Sequence, residues 1–319
     1  MRIIFAASPS IAVPSLEFFL NHNRNVNNYQ LAGLLTNPDS PKGRSGKPEP
    51  TECAVFLQKN NAFSIPVLKP ENLDNTARER IMTLKPDMLV SFAYGKIFGH
   101  KFLSLFPLGG INIHPSLLPK YRGPSPIPAA IINNETVTGI TVQQLAEKMD
   151  CGDILFQETI SLDGRETTAS LNEKVSKKAA RILPSILKEI IEGTIQPKAQ
   201  DDGAATYCPL ITKEDGLINW SQSAEEIDAK IRAFTPWPLS WTYHEGFQVF
   251  ILKADIFDSN DDTHPPGKVL GKDKNSGILI QCGKGIIAAT ELQYKTKKAL
   301  NWKDFINGAK NFIGTRLGA

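Results

Sequence analysis

Cysteine is scarce in this chain of 319 residues, and its four copies lie far apart. Cys53, Cys151, Cys208 and Cys282 form no Cys-x-x-Cys pair, so their spacing indicates neither a zinc site nor a disulfide framework. Reduced thiols are typical of cytoplasmic proteins, and we expect that location here.

A membrane-spanning segment is also missing, although hydrophobic residues make up 41% of the chain. No apolar run approaches the roughly 20 residues that a transmembrane helix needs. Residues 1–7 are apolar, but they have only the length of a strand and lead directly into Ser8-Pro9 without a cleavage-type region. The sequence therefore predicts no signal peptide, no transit peptide and no membrane partner.

Glycine is absent from the turn after the first strand. Residues 2–7 form a nearly continuous apolar run, which is typical of a strand buried on both faces of a parallel sheet. A nucleotide-binding loop needs glycine here so that the backbone can approach phosphate, and residues 6–10 contain none. The sequence therefore argues against a dinucleotide site.

Strands and helices alternate through the first 200 residues. Apolar strands at residues 31–36, 87–93 and 110–114 are separated by helical segments, and residues 168–193 predict a long amphipathic helix. This alternation is typical of βαβ units. We therefore predict an α/β fold, with a Rossmann-like, mostly parallel sheet domain in residues 1–200.

The pattern changes after residues 196–203, a polar, turn-rich stretch that we interpret as a linker. Short alternating runs then predict a smaller OB-like β-barrel in residues 207–319, a platform that often binds nucleic acid. The net charge is only +3, but residues 265–319 hold ten Lys or Arg against three Asp or Glu. This basic end indicates a polyanionic partner, with a solvated lysine-rich surface as the alternative.

Chemically useful side chains are densest in residues 109–124, Gly-Gly-Ile-Asn-Ile-His-Pro-Ser-Leu-Leu-Pro-Lys-Tyr-Arg-Gly-Pro. As a strand, this segment places Asn112 and His114 on one face, about 6.6 Å apart along the backbone. The prolines that follow end the strand in a stiff loop, where open α/β sheets place their ligand sites. Residues 149–154 form a short acidic turn that could bring Asp150 to the same place.

These motifs resemble those of the 10-formyltetrahydrofolate-dependent formyltransferases. The matching pattern is Asn-x-His, then Ser-Leu-Leu-Pro-x-Tyr-Arg-Gly, then Met-Asp-x-Gly-Asp. The resemblance implies a catalytic trio of Asn112, His114 and Asp150. It also implies folate contacts from four consecutive residues: Ser116, Leu117, Leu118 and Pro119.

Two further segments resemble the members of this family that act on methionyl-tRNA. Residues 232–241, Arg-Ala-Phe-Thr-Pro-Trp-Pro-Leu-Ser-Trp, are similar to the start of their C-terminal domain. The basic loop at residues 37–50 has four prolines and two glycines, so we expect it to be exposed and irregular. By resemblance, Arg44 and Lys47 of this loop would contact tRNA.

The resemblance implies that a cytoplasmic, monomeric enzyme of bacterial type, without a metal, moves the formyl group of 10-formyltetrahydrofolate to the α-amino group of initiator methionyl-tRNA. We expect Asn112 and a cationic His114 to donate to the developing oxyanion. Asp150 would favour the imidazolium and relay a proton to N10 of the departing folate.

Other interpretations remain open. An amino-sugar formyltransferase or a formyltetrahydrofolate hydrolase would use the same trio. A glycinamide ribonucleotide formyltransferase would as well, but it is usually a single domain with a glycine-containing phosphate loop after the first strand. A catalytically silent RNA-binding protein is an alternative of another class, and the presence of all three catalytic residue types argues against it.

Overall fold

A computed structural model describes residues 1–23, 29–41, 46–309 and 311–318. The chain divides into two compact units. Unit 1 comprises Met1–Pro126, Val137–Ser161 and Asn172–Cys208, and unit 2 comprises Ile127–Thr136, Leu162–Leu171 and Pro209–Ala319. Over the described ranges, no helix is both long enough and apolar enough to cross a membrane. The assignment of catalysis to residues 1–200 and of tRNA binding to residues 207–319 stays a prediction.

Nine of the strands that the structure describes lie in unit 1. They are β1 Arg2–Ala7, β2 Gln30–Leu35, β3 Ser40–Pro41, β4 Pro48–Glu49, β5 Val67–Leu68, β6 Met88–Phe92, β7 Gly110–His114, β8 Val137–Gln144 and β9 Ile154–Ser161. Seven of them form one sheet in the order β5-β2-β1-β6-β7-β8-β9, while β3 and β4 pair with each other. The first five strands of that order are parallel, and β8 and β9 are antiparallel additions. The predicted α/β class with a mostly parallel sheet is confirmed.

Local sequence signals explain where two of the helices begin. The helices of the first two thirds of the chain are α1 Val13–Asn23, α2 Glu52–Lys59, α3 Asn75–Thr83, α4 His100–Leu103, α5 Pro126–Ile132 and α6 Thr168–Glu192. The side chains of Thr51 and Asp74 cap α2 and α3 by accepting from backbone N–H groups of the first turn. Helix α4 begins only at His100, because the backbone of Gly99 before it is extended.

The position of β7 in the sheet determines where the candidate site lies. β7 runs parallel to β6 on one side and antiparallel to β8 on the other, so it marks the change of direction within the sheet. Asn112 is level with Ser91 of β6 and with Gln143 of β8. The carboxyl end of β7 therefore carries Asn112 and His114 next to a buried polar side chain of β8.

Unit 2 is an antiparallel β-rich domain, as predicted. Its elements are α7 Ala224–Ala233, β10 Ser240–His244, β11 Phe247–Asp258, β12 Val269–Asp273, β13 Gly277–Gln281, β14 Ile286–Tyr294, β15 Leu300–Asn301 and α8 Trp302–Gly308. The strand order is β10-β11-β14-β13-β12, with β15 beside β14. Helix α7 begins with a capping box between Ser223 and Glu226 and packs its apolar face into the core of the unit.

The last described residues connect the two edges of this sheet. The backbone N–H groups of Gly314 and Leu317 donate to the carbonyls of Val269 and Gly267 at 2.9 and 2.8 Å. One residue later, the N–H of Gly318 donates to the carbonyl of Tyr243 in β10 at 2.9 Å. The segment therefore bridges the edge strand β10 and the opposite edge at β12. This bridge gives the sheet its barrel-like closure.

Two short segments that precede the C-terminal third of the chain belong to unit 2 for a local reason. The Arg232 guanidinium donates to the Glu166 carbonyl and to Asn134 Oδ1, both at 3.2 Å, and pairs with Asp228 at 2.7 Å. The Thr168 hydroxyl donates to the Ala233 carbonyl at 2.5 Å. The end of α7 therefore anchors residues 127–136 and 162–171 in unit 2.

Candidate active site

The structure brings together the three residues that the sequence predicts as a catalytic trio. Asn112 and His114 lie on one face of β7, and the Asp150 carboxylate stands beside both. Asp150 Oδ1 lies 3.4 Å from His114 Nδ1 and 3.4 Å from Asn112 Nδ2. His114 is almost wholly buried, and the Asp150 side chain keeps about a tenth of its surface exposed. The three side chains thus form one cluster, and their catalytic role stays a prediction.

Two glycines shape the backbone around the Asp150 carboxylate. The N–H of Gly123 donates to Asp150 Oδ2 at 2.9 Å, and a Cβ on Gly123 would lie 2.3 Å from the Cys208 carbonyl oxygen. A Cβ on Gly152 would lie only 1.9 Å from the Gln144 carbonyl oxygen. Asp150 itself has a φ of +56°. The acidic turn therefore requires glycine at position 152, and the loop after β7 requires it at position 123.

Gln143 completes the set of donors around the carboxylate, and sequence reasoning missed it. Its Nε2 donates to Asp150 Oδ1 at 2.9 Å, and its side chain is buried. The N–H groups of Gly123, Gln143 and Asn112 all point at the two carboxylate oxygens, so they complement a negative charge. The available signal was a glutamine at the end of a β-branched strand.

The two ring nitrogens of His114 have different partners. Nε2 lies 2.8 Å from the Tyr121 carbonyl oxygen, and because a carbonyl only accepts, Nε2 carries the hydrogen. Nδ1 faces Asp150 and is the nitrogen that gains or loses a proton. Burial lowers the pKa of His114, while the Asp150 carboxylate and the bond to the Tyr121 carbonyl raise it, and burial prevails. The lowered pKa favours a neutral ring in the protein alone, and the expected cationic His114 of the reaction stays a prediction.

The predicted folate-contacting residues lie in a rigid loop directly after β7. The Ser116 hydroxyl donates to the Lys120 carbonyl at 2.6 Å, and the Thr141 hydroxyl donates to the Ser116 carbonyl at 2.7 Å. The Leu118 N–H donates to the same Thr141 hydroxyl at 3.0 Å. Ser116 and Leu118 are buried, whereas Leu117 and Pro119 are partly exposed. The segment is thus fixed to β8, and its contact with folate stays a prediction.

The stretch that the sequence predicts as a linker participates in the site. The Gln200 amide donates to the carbonyls of Asp150 and Gly152 at 2.9 and 2.7 Å. Buried Arg122 donates to Gln200 Oε1 and to Asp202 Oδ1. Sequence reasoning missed the roles of Arg122 and Gln200, because only the folded chain brings residues 200–207 back to the loop after β7.

Of the two residues of the basic loop that are predicted to contact tRNA, the structure describes one. Arg44 lies outside the described residues. Lys47 is exposed and precedes β4. Within the ranges that the structure describes, no group of three or more His, Cys, Asp or Glu residues is arranged to hold a metal ion.

Comparison with known protein families gives two matches that together span most of the chain. Residues 1–187 match the family model described as "Formyl transferase", and residues 210–310 match "Formyl transferase, C-terminal domain". The chain is 46% identical to the methionyl-tRNA formyltransferase of Treponema denticola over 98% of both chains. It is 37% identical to the protein of the same name from Acetivibrio thermocellus over the full length of both.

Solved structures show the same fold at low sequence identity. A methionyl-tRNA formyltransferase from Clostridium thermocellum aligns with a TM-score of 0.57 and 18% identity, covering 80% of this chain and 93% of the other. HypX from Aquifex aeolicus, in complex with tetrahydrofolic acid, aligns with a TM-score of 0.65 and 17% identity. That match covers 98% of this chain and 48% of HypX.

The buried position of His114 predicts its titration. We expect the imidazole pKa of His114 to lie below the ordinary value of about 6.5, since burial outweighs the attraction of Asp150. Asp150→Asn removes a contribution that raises this pKa, so the pKa should fall further. NMR of the imidazole signals across pH measures both values. A His114 pKa above 6.5, or a rise in the variant, would contradict this assignment.

Proposed function

Because this chain belongs to the methionyl-tRNA formyltransferase family, we propose that Asn112, His114 and Asp150 catalyse transfer of the formyl group of 10-formyltetrahydrofolate to the α-amino group of methionyl-tRNA. The observation that carries the proposal is the cluster of these three side chains around the Asp150 carboxylate. It agrees with the activity in the names of relatives that match almost the whole chain.

The reaction requires one bond to form, one to break and one proton to move. The amine nitrogen attacks the formyl carbon, whose carbonyl oxygen becomes an oxyanion. The bond from that carbon to N10 of the folate then breaks, and the proton lost by the amine ends on N10. The site must therefore stabilise a transient negative oxygen and hold one proton between two nitrogens.

Asn112 is the residue suited to the oxyanion. It is half-buried, and its amide contact with Asp150 is long at 3.4 Å, so the NH₂ group can turn toward a substrate oxygen. An amide donates a hydrogen bond without changing its protonation state, which makes it available throughout the reaction. Removing one such donor typically costs about 2.7 to 4 kcal/mol of barrier.

His114 and Asp150 are suited to hold the proton. In the resting state, the lone pair of Nδ1 faces a carboxylate oxygen across 3.4 Å, and a proton placed between them satisfies both atoms. The resulting imidazolium would keep its second hydrogen bond, from Nε2 to the Tyr121 carbonyl. The pair can therefore accept one proton from the attacking amine and return it to N10 of the folate.

The choice of acceptor distinguishes this proposal from its alternatives. A sugar 3N-formyltransferase, WlaRD, shares the fold with a TM-score of 0.62 but only 22% identity, so it supports the fold alone. The curated relatives with far higher identity are named for methionyl-tRNA. The test is to incubate the protein with 10-formyltetrahydrofolate and either charged initiator tRNA or free amino sugars, and to follow formylated product.

In this assay, we expect the tRNA to be formylated and the amino sugars to remain unchanged. His114→Ala and Asp150→Asn should each lower turnover by about 10² or more, because the proton no longer has a place between the two nitrogens. The affinity for folate should change little. His100→Ala, an exposed histidine in the same unit, is the control. Near-normal turnover in either variant would show that the trio is wrongly assigned.

We further propose that the basic C-terminal end contacts the tRNA backbone, together with Arg44 and Lys47. Lys295, Lys297 and Lys298 are exposed where the chain turns after β14. Lys295 and Lys297 line a cavity of about 650 Å³ together with Phe247, which is 68% exposed. A patch with this charge would meet phosphates without reading bases.

The neighbouring lysines do not all belong to this surface. The ammonium of Lys268 donates to the Gly314 carbonyl, so it supports the segment that bridges the edges of the unit 2 sheet. Lys272 and Lys274 are exposed on and beside β12. The proposed phosphate-binding surface therefore consists of the three lysines in the turn after β14.

Replacing Lys295, Lys297 and Lys298 with Ala should weaken tRNA binding and flatten its dependence on salt. Each lost phosphate contact should reduce the log-log slope by roughly 0.7 to 0.9. Turnover at saturating tRNA should change much less, since the lysines lie outside the trio. Affinity across a salt series measures the effect. The control replaces three exposed lysines of helices in unit 1: Lys59, Lys101 and Lys188. Equal slopes in the wild-type protein and the first variant would mean that the turn does not meet phosphate.

The remaining parts of the proposal concern the state in which the enzyme works. We propose a cytoplasmic monomer that uses initiator methionyl-tRNA and 10-formyltetrahydrofolate as its two substrates and needs no metal. All four cysteines are free thiols, which is consistent with a reducing compartment. The mechanism above needs only side chains of this chain and the two substrates.

A further inference from the structure

We propose that Gln200 is a positioning residue for Asp150: Arg122 orients the side-chain amide of Gln200, and Gln200 orients the amide of Gln143, which donates to the carboxylate. The inference rests on the proposed function, because its consequence is the placement of the carboxylate that handles the proton. All four residues belong to unit 1. Gln200 lies in the stretch that the sequence pattern describes as a linker.

The first step concerns the orientation of the Gln200 amide. Arg122 Nε and Nη2 donate to Gln200 Oε1 at 3.1 and 2.8 Å. A guanidinium has five N–H donors and no acceptor, so only the carbonyl oxygen of the amide can face it. The NH₂ group of Gln200 must then point the other way, toward the turn that holds Asp150.

The NH₂ group of Gln200 has two contacts with that turn and a longer one with β8. It donates to the backbone carbonyls of Asp150 at 2.9 Å and Gly152 at 2.7 Å, and it lies 3.3 Å from Gln143 Oε1. The two carbonyls flank the turn in which Asp150 adopts a φ of +56°. Gln200 therefore holds the backbone of Asp150 in an uncommon conformation. A change in this backbone conformation would move the carboxylate.

The contact with Gln200 also fixes the orientation of the Gln143 amide. Because Gln143 Oε1 accepts from Gln200, the NH₂ group of Gln143 is the end that faces Asp150, and it donates to Oδ1 at 2.9 Å. Arg122, Gln200 and Gln143 thus form a chain in which each donor fixes the orientation of the next amide. The chain ends at the carboxylate oxygen that also faces His114 Nδ1.

Arg122, the first residue of this hydrogen-bond network, is itself held in place by several contacts. Its side chain is only 2% exposed, and a buried guanidinium needs compensation for the loss of water. Asp202 supplies the opposite charge at 2.6 Å, and the Tyr207 hydroxyl lies 3.3 Å from Nη1. The backbone of Arg122 also pairs with residues 206 and 208, through bonds of 2.9 and 2.8 Å. Both ends of the arginine therefore hold residues 200–208 against the site.

Two substitutions of Gln200 separate its donor role from a merely structural one. Gln200→Glu keeps an oxygen for Arg122 but cannot donate to the turn, and Gln200→Leu loses both contacts. If Gln200 positions Asp150 by donating, both variants should lower turnover by about tenfold to a hundredfold, with little change in the KM for 10-formyltetrahydrofolate. If it serves only as a partner for Arg122, Gln200→Glu should behave like the wild-type protein, which would overturn the proposal.

The titration of His114 gives a second readout that a structural role would not move. In Gln200→Leu, Gln143 is no longer held with its donor on Asp150 Oδ1, so the carboxylate charge is less neutralised and the pKa of His114 should rise. The matched control is Gln196→Ala. Gln196 is an exposed glutamine four residues earlier, and its side chain donates to the Thr194 carbonyl of its own loop. An unchanged His114 titration in Gln200→Leu, with turnover equal to that of the control, would overturn the inference.

The two readouts distinguish failure of this inference from failure of the proposed function. If the wild-type protein does not formylate methionyl-tRNA, the proposed function is wrong, and the His114 titration still decides whether Gln200 positions Asp150. If the wild-type protein is active and both Gln200 variants match it, only the positioning role is wrong. Circular dichroism and folate binding show whether each variant is folded. Should Gln200→Leu not fold, Gln200→Glu alone decides between the two outcomes.

Discussion

The structure of the candidate site depends on the compensation of one largely buried carboxylate. A carboxylate removed from water is costly unless hydrogen bonds or opposite charges replace the lost solvent. Asp150 receives donors from β7, from the loop after β7 and from β8, and His114 stands beside it. Segments that are distant in sequence thus meet at one pair of oxygens, and displacement of any of them would leave a charge or a donor unpaired.

This requirement explains several features that lie outside the trio itself. Gly123 and Gly152 are needed because a side chain at either position would collide with a backbone carbonyl within 2.3 Å. The change from parallel to antiparallel pairing places Gln143 level with Asn112. Residues 200–208 return to the site, where Arg122 donates to Gln200 and Gln200 donates to the Asp150 carbonyl. The chemistry proposed for Asn112 and His114 therefore relies on backbone geometry elsewhere in unit 1.

Local patterns predicted most of the elements and part of the site. Alternation in residues 111–114 placed Asn112 and His114 on one face, because the period of a strand depends only on neighbouring residues. Thr51 and Asp74 marked two helix starts for a similar reason. The contribution of Gln143 could not be predicted in this way, since it depends on the register between β7 and β8. The lowered pKa of His114 was also missed, because it follows from burial in the folded chain.

The central claim is that His114 and Asp150 hold the transferred proton as one unit. A double-mutant cycle on turnover, with His114→Ala, Asp150→Asn and the combined variant, tests it most directly. Residues that act as a unit give losses that are far from additive. The account predicts that the double variant turns over about as slowly as the slower single variant. Losses that multiply in the double variant would mean that the two residues act independently, and would contradict it.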